Sequence, residues 1–199
     1  MIHTERIGDF LRKHVKDMQP TIEELIGTTL GNIDVRPLSE QTDERIRLQK
    51  KRGMIWSTRD ERFLRLRVEA EELILSTIAQ VVGTTIYYTR GPIGLMPTGN
   101  YLWYVTAHEL GHIAQHALVG TDEFFCFKGI RETFADYVSV HALRRKKIEA
   151  GQQGRTGARE FRETLAKAGM PDTMQSAITY IRAQTDIYRK SDGDYKIIN

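Results

Sequence analysis

Acids, bases and apolar residues interleave at helical spacing through MIHTERIGDFLRKHVKDM, which predicts an amphipathic helix from about Thr4 to Met18, stopped by Pro20. Thr21 with Glu24 then forms a capping box for a short second helix. Residues 27 to 58 carry Gly, Pro and charge with no clear period and read as a strand pair with a basic loop. Thr58 and Glu61 make a second capping box. It opens a long helix with apolar positions at Phe63, Leu66, Leu73, Ile74, Ile78 and Val81, ended by Gly83. The β-branched and aromatic run TTIYYTR (84 to 90) predicts a strand, and GPIGLMPTGN a turn. Asn100 caps a helix reaching Val119 before Gly120, and a further helix spans about Ile130 to Ala150. After GQQGRTG, read as a flexible connection, two helices follow, over about Ala158–Ala168 and Asp172–Arg189. The pattern gives an α+β fold, mostly helical, with a small sheet.

The chain has 199 residues, enough for one sizeable core, so a single domain over 1 to 199 is expected. At 40% hydrophobic and 28% charged it has a globular composition, and no stretch reaches the roughly 20 apolar residues of a membrane span. The N-terminus lacks the apolar block of a secretory signal, so the expected location is the cytoplasm, with non-classical export left open. The single cysteine, Cys126, cannot form an internal disulfide and reads as a buried core thiol. Net charge is +3, with basic runs at RIRLQKKRG (45 to 53) and LRRKK (143 to 147). These read as solvated faces; nucleic acid is a possible but not favoured partner, since no binding motif accompanies them.

The chemistry concentrates in TAHELGHIAQHAL (106 to 118), which holds three of the six histidines. On a helix, residues four apart share a face, so His108 and His112 can aim ring nitrogens at one ion. Glu109 follows the first histidine and can reach a water held there, as a general base must. In a random chain of this composition His-Glu-x-x-His is expected roughly 0.01 times, so chance is a poor explanation. A catalytic ion needs a third ligand, and Glu132 on the next predicted helix is the choice. Asp136, one turn later, is placed to accept the free N–H of a ligand histidine, and small Ala135 lets the two helices approach. His116 is about 12 Å along the helix from His108, too far to share the ion, and Leu118 breaks the longer three-histidine pattern. For stabilising an oxyanion, Tyr137, His141, Tyr180 and Tyr188 are all eligible and the sequence does not choose.

YLWYVTAHELGH, followed about 20 residues later by E-x-x-A-D, resembles the gluzincin zinc metallopeptidases, most of all the ImmA/IrrE family. The likeness covers about residues 84 to 143. Asp136 stands where that family more often has Asn, and LRRKK replaces its usual Met-Pro. The resemblance implies a compact zincin-like fold with a small sheet beside two metal-ligand helices. It divides the domain into an N-terminal segment (1–57), a zincin core (58–150) and C-terminal helices (151–199). It also implies one Zn2+ per chain on His108, His112 and Glu132, and an intracellular peptidase whose substrate is a protein, such as a transcriptional repressor or other regulator. A further implication is a strand at the sheet edge, beside the cleft, pairing with an extended substrate; TTIYYTR is considered for that role.

Two other readings stand beside the zinc-dependent endopeptidase. One is a non-catalytic binding or regulatory protein, stabilised by metal and acting through its basic surface. The other is a protease toxin or effector. Oligomeric state is open.

Overall fold

The computed structural model describes residues 4–51, 62, 79–89, 99–120 and 128–190. The first element, α1 (Thr4–Ile26), runs straight through Pro20 rather than stopping there. Its buried stripe, Ile7, Leu11, Val15, Met18, Ile22 and Ile26, continues without a break across the proline. An interior proline costs about 3 kcal/mol, but each buried aliphatic beyond it returns about 1.5–3 kcal/mol. Pro20 itself is exposed, so the carbonyl it leaves unpaired can turn to water. Thr21 is therefore a buried mid-helix residue, not a cap. Glu24 reaches Arg145 at 2.7 Å instead, and Glu23 accepts the Leu30 N–H at 2.8 Å, folding the following chain back onto the helix.

Residues 27 to 58 were expected to hold a strand pair, and the described part holds one strand and one helix. Strand β1 (Asp34–Pro37) leads directly into α2 (Leu38–Lys51), so the first part of the basic run lies on a helix. The partner of β1 is not local. It pairs in parallel with β3 (Thr85–Tyr88), which also pairs antiparallel with β2 (Ala79–Val82), giving the order β1-β3-β2.

The expected helix from Thr58 falls on residues mostly outside those described, including Phe63, Leu66, Leu73, Ile74 and Ile78. Its expected end is corrected: Val81 belongs to β2, and Gly83 turns the chain into β3. Val82 pairs with Thr85 across a two-residue turn in which Gly83 has φ +61. A positive φ at the first central position suits the primed turns whose twist matches a hairpin, and glycine takes it without steric cost. The strand expected in TTIYYTR is present, with Ile86, Tyr87 and Tyr88 all buried. Being paired on both sides, β3 offers no free edge, so the substrate-pairing role considered for TTIYYTR does not fit it.

Helix α3 (Gly99–Val119) packs across α4 (Lys128–Arg145), and α5 (Gln152–Lys167) and α6 (Met174–Lys190) complete the described chain. The mostly helical α+β architecture is as the pattern predicts. Helix α4 stops five residues before the expected Ala150, because Lys147 takes φ 58 and closes the end. There the Ile148 N–H bonds Leu143 O and the Lys147 N–H bonds Arg144 O, both at 3.0 Å, so two of the last carbonyls are satisfied within the turn.

GQQGRTG is not a connection. It forms the first turns of α5, and its glycines Gly154 and Gly157 are buried helix positions. Among the described residues no helix is long and apolar enough to cross a membrane.

Candidate metal centre

The crossing of α3 and α4 is set by two small residues. A Cβ on Gly111 would lie 2.8 Å from both Cα and O of Ala135, so the two backbones are as close as side chains allow. Ala135 plays the part expected of it, and Gly111 is the partner that the sequence reading passed over. Gly111 sits between His108 and His112, and Ala135 between Glu132 and Asp136. The tight crossing therefore brings four polar side chains to one place. Around them Phe134, Ala135, Tyr137 and Val138 are fully buried, so this face of α4 does point inward.

At that place His108 Nε2 and His112 Nε2 are 3.1 Å apart. Glu132 Oε2 lies 3.3 Å from the first and 3.5 Å from the second. Three donor atoms from three residues converge, and among the described residues this is the group that could hold a metal ion. His116 is outside it, as helix rise requires.

Asp136 supports the group from behind. His108 Nδ1 donates to Asp136 Oδ1 at 2.8 Å, which orients the ring with Nε2 facing His112 and Glu132. The same oxygen accepts the Tyr104 hydroxyl at 2.6 Å. Tyr104 was not singled out in the sequence. Its signal was available as an aromatic residue one helical turn before His108, hence on the same face. His112 has no matching support: its Nδ1 is buried without a hydrogen-bond partner.

The charges follow from these contacts. Burial opposes charge on His108, but the hydrogen bonds to Asp136 and Glu132 overcome it and hold its pKa up at about 10. Burial keeps His112 below the ordinary histidine value. Glu132 is held well below the usual carboxylate range by its contacts with His108 and His112. Glu109 is 5% exposed, and burial raises its carboxyl to about 7 against the pull of His108. Arg131, beside Glu132, is a cation whose field reaches both Glu109 and His112.

The residues considered for an oxyanion lie elsewhere or are committed. Tyr137 is fully buried and its hydroxyl donates to Asp172 at 2.8 Å. His141 packs on the Tyr137 ring, and Tyr180 stands edge-on to Phe161 in the core. The Tyr188 side chain and Cys126 lie outside the described residues. No protein-family model, curated protein or solved structure matches the chain significantly, so the functional reading rests on the geometry of the site.

Proposed function

We propose that this protein is a zinc-dependent endopeptidase of the gluzincin type, acting on a protein substrate in the cytoplasm. The observation that carries the reading is the triangle formed by His108 Nε2, His112 Nε2 and Glu132 Oε2, with edges of 3.1, 3.3 and 3.5 Å. Tetrahedral zinc with ligands at about 2.0–2.1 Å implies donor atoms roughly 3.3–3.4 Å apart. The donor set fits. Two imidazoles and a carboxylate also suit zinc chemically and leave one position for substrate or water.

Bound zinc would polarise the scissile carbonyl and lower the pKa of its water to about 7. Asp136 keeps the His108 proton on Nδ1, so that Nε2 stays available as a ligand. Glu109 is adjacent in sequence but absent from the ligand triangle, which leaves its carboxylate free to take a proton from the attacking water and return it to the leaving amine. Burial of Glu109 favours its protonated form, which helps it hold the proton between the two transfers. The resemblance to the ImmA/IrrE family points to a regulatory protein such as a transcriptional repressor as the substrate.

The test is zinc content and hydrolysis of an unfolded protein such as casein. Wild type and Glu109→Gln are expected to hold about one zinc per chain, with hydrolysis about 10²–10⁴-fold slower in the variant. Glu132→Ala is expected to lose the metal. Hydrolysis retained in Glu109→Gln would sink the mechanism. If wild type takes no zinc, attention moves to the exposed cations Arg144, Arg145, Lys146 and Lys147 at the end of α4, tested as salt-sensitive nucleic-acid binding.

A further inference from the structure

We infer that Tyr104 is a positioning residue for His108, acting through Asp136 within a close-packed cradle that Gly154 and Gly157 keep open. The inference rests on the proposed zinc site for its purpose, but not for its geometry.

Tyr104 and His108 are four apart on α3, with ring centroids 5.8 Å apart, and both donate to the same atom, Asp136 Oδ1, at 2.6 and 2.8 Å. A carboxylate that accepts from the histidine alone can turn about its own side-chain bond and carry the imidazole with it. A second donor from another direction removes that freedom. The direction of His108 Nε2 is then set two residues back along the chain of hydrogen bonds.

Helix α5 closes over this chain in a specific way. A Cβ on Gly154 would run into the ring of Tyr104, and a Cβ on Gly157 would run into the carboxylate of Asp136. The two glycines are three apart, so they lie on one helix face, each opposite one member of the pair. Glycine inside a helix is less stable than alanine, and here both positions lack room for even a methyl group because Tyr104 and Asp136 occupy it. With α5 in place Tyr104 is 5% and Asp136 7% exposed, so water competes little for either hydrogen bond.

A tyrosine that merely fills core volume would tolerate loss of its hydroxyl without effect at the metal. The experiment is competition with a chromophoric chelator for zinc, using wild type, Tyr104→Phe, Gly157→Ala, Asp136→Asn and the double variant Tyr104→Phe/Asp136→Asn. Melting temperatures are measured alongside. Loss of such a supporting contact weakens metal binding about 10–100-fold. Tyr104→Phe is expected near the lower end, about tenfold, with the melting temperature nearly unchanged, and Gly157→Ala is expected to weaken binding similarly. Tyr104→Phe should add almost nothing once Asp136 is Asn. Wild-type affinity in Tyr104→Phe, or a loss that adds in full to that of Asp136→Asn, overturns the inference. If Gly157→Ala does not fold, the tyrosine variants still decide.

A second readout needs no metal. In chelator-treated protein the His108 Nδ1 proton, seen by NMR of nitrogen-15 histidine, should shift or exchange faster in Tyr104→Phe. An unchanged signal overturns the positioning role. A changed signal in a protein that takes no zinc keeps that role and removes the peptidase reading instead.

Discussion

Helix α4 carries two clusters of the same residue types, and they end in opposite chemistry. In one, Tyr104 and His108 of α3 converge on Asp136, and the far side of His108 meets His112 and Glu132. In the other, which begins at the next residue, Tyr137 donates to Asp172, Arg162 pairs with the same carboxylate at 3.1 Å, and His141 only packs on the Tyr137 ring with a buried, unpartnered Nε2. In the first cluster an acid on one side of the histidine turns the other nitrogen towards His112 and Glu132. In the second the acid is spent on a tyrosine and an arginine, and the neighbouring charges are cations. Burial, followed by Arg162, keeps His141 below its ordinary pKa. Tyr, His and Asp together do not make a site; the direction of the hydrogen bonds does.

The hardest way to break this comparison is to delete one histidine from each cluster. His112→Ala is expected to abolish stoichiometric zinc binding, whereas His141→Ala leaves zinc content at wild-type level, both read by elemental analysis after dialysis. Loss of metal in both would mean the clusters are coupled.

A smaller effect is expected at the crossing that only the first cluster needs. Gly111→Ala forces a methyl against the Ala135 backbone and should cost about 1–3 kcal/mol in denaturant titration, because neither backbone can yield as a side chain would. Gly129→Ala, on the same helix pair but facing open space, should cost nothing. Equal stability of the two variants would remove the close crossing from the account.

The two clusters also differ in the sign of their pH dependence, measured as denaturation midpoints in chelator. His108 has a folded pKa raised from 6.5 to about 10, so its contribution is full below 6.5 and is lost as pH rises towards 10. Glu109, raised from 4.5 to about 7, adds a loss in the same direction between those values. His141, lowered from 6.5, contributes above that value and its contribution fades as pH falls below it. Chelated protein should therefore lose stability from pH 7 to 10, and saturating zinc should suppress that loss. In His141→Ala the loss on acidification below 6.5 should shrink. A midpoint flat from pH 7 to 10 in chelator would contradict the contacts assigned to His108.

What could be read from the sequence was what depends on spacing within one element. His108, Glu109 and His112 are placed by helix period alone, and Glu132 with Asp136 by the same period on the next helix. The convergence of His108, His112 and Glu132 matches that reading. What could not be read depends on contacts between elements. Pro20 stops a helix unless a stripe on both sides of it is buried, and that burial is supplied by other helices. Ala79 to Val82 continues a helical period as easily as it makes a strand, and the choice is made by β3 beside it. Gly154 and Gly157 carry the composition of a loop. Only Tyr104 and Asp136, distant in sequence, reveal them as places where a side chain has no room.

The sheet and the helix crossing differ in the length of chain that each must close. The β1 strand must find β3 across about fifty residues, while the α3–α4 crossing joins Gly111 to Ala135 across about two dozen. Contacts short in sequence close at lower entropic cost. Closing the helix pair that carries His108, His112 and Glu132 is therefore the cheaper of the two, by about 0.6 kcal/mol for one doubling of the loop. An ion that bound there would join the two helices through their side chains, and its binding free energy would add to the stability of the crossing itself.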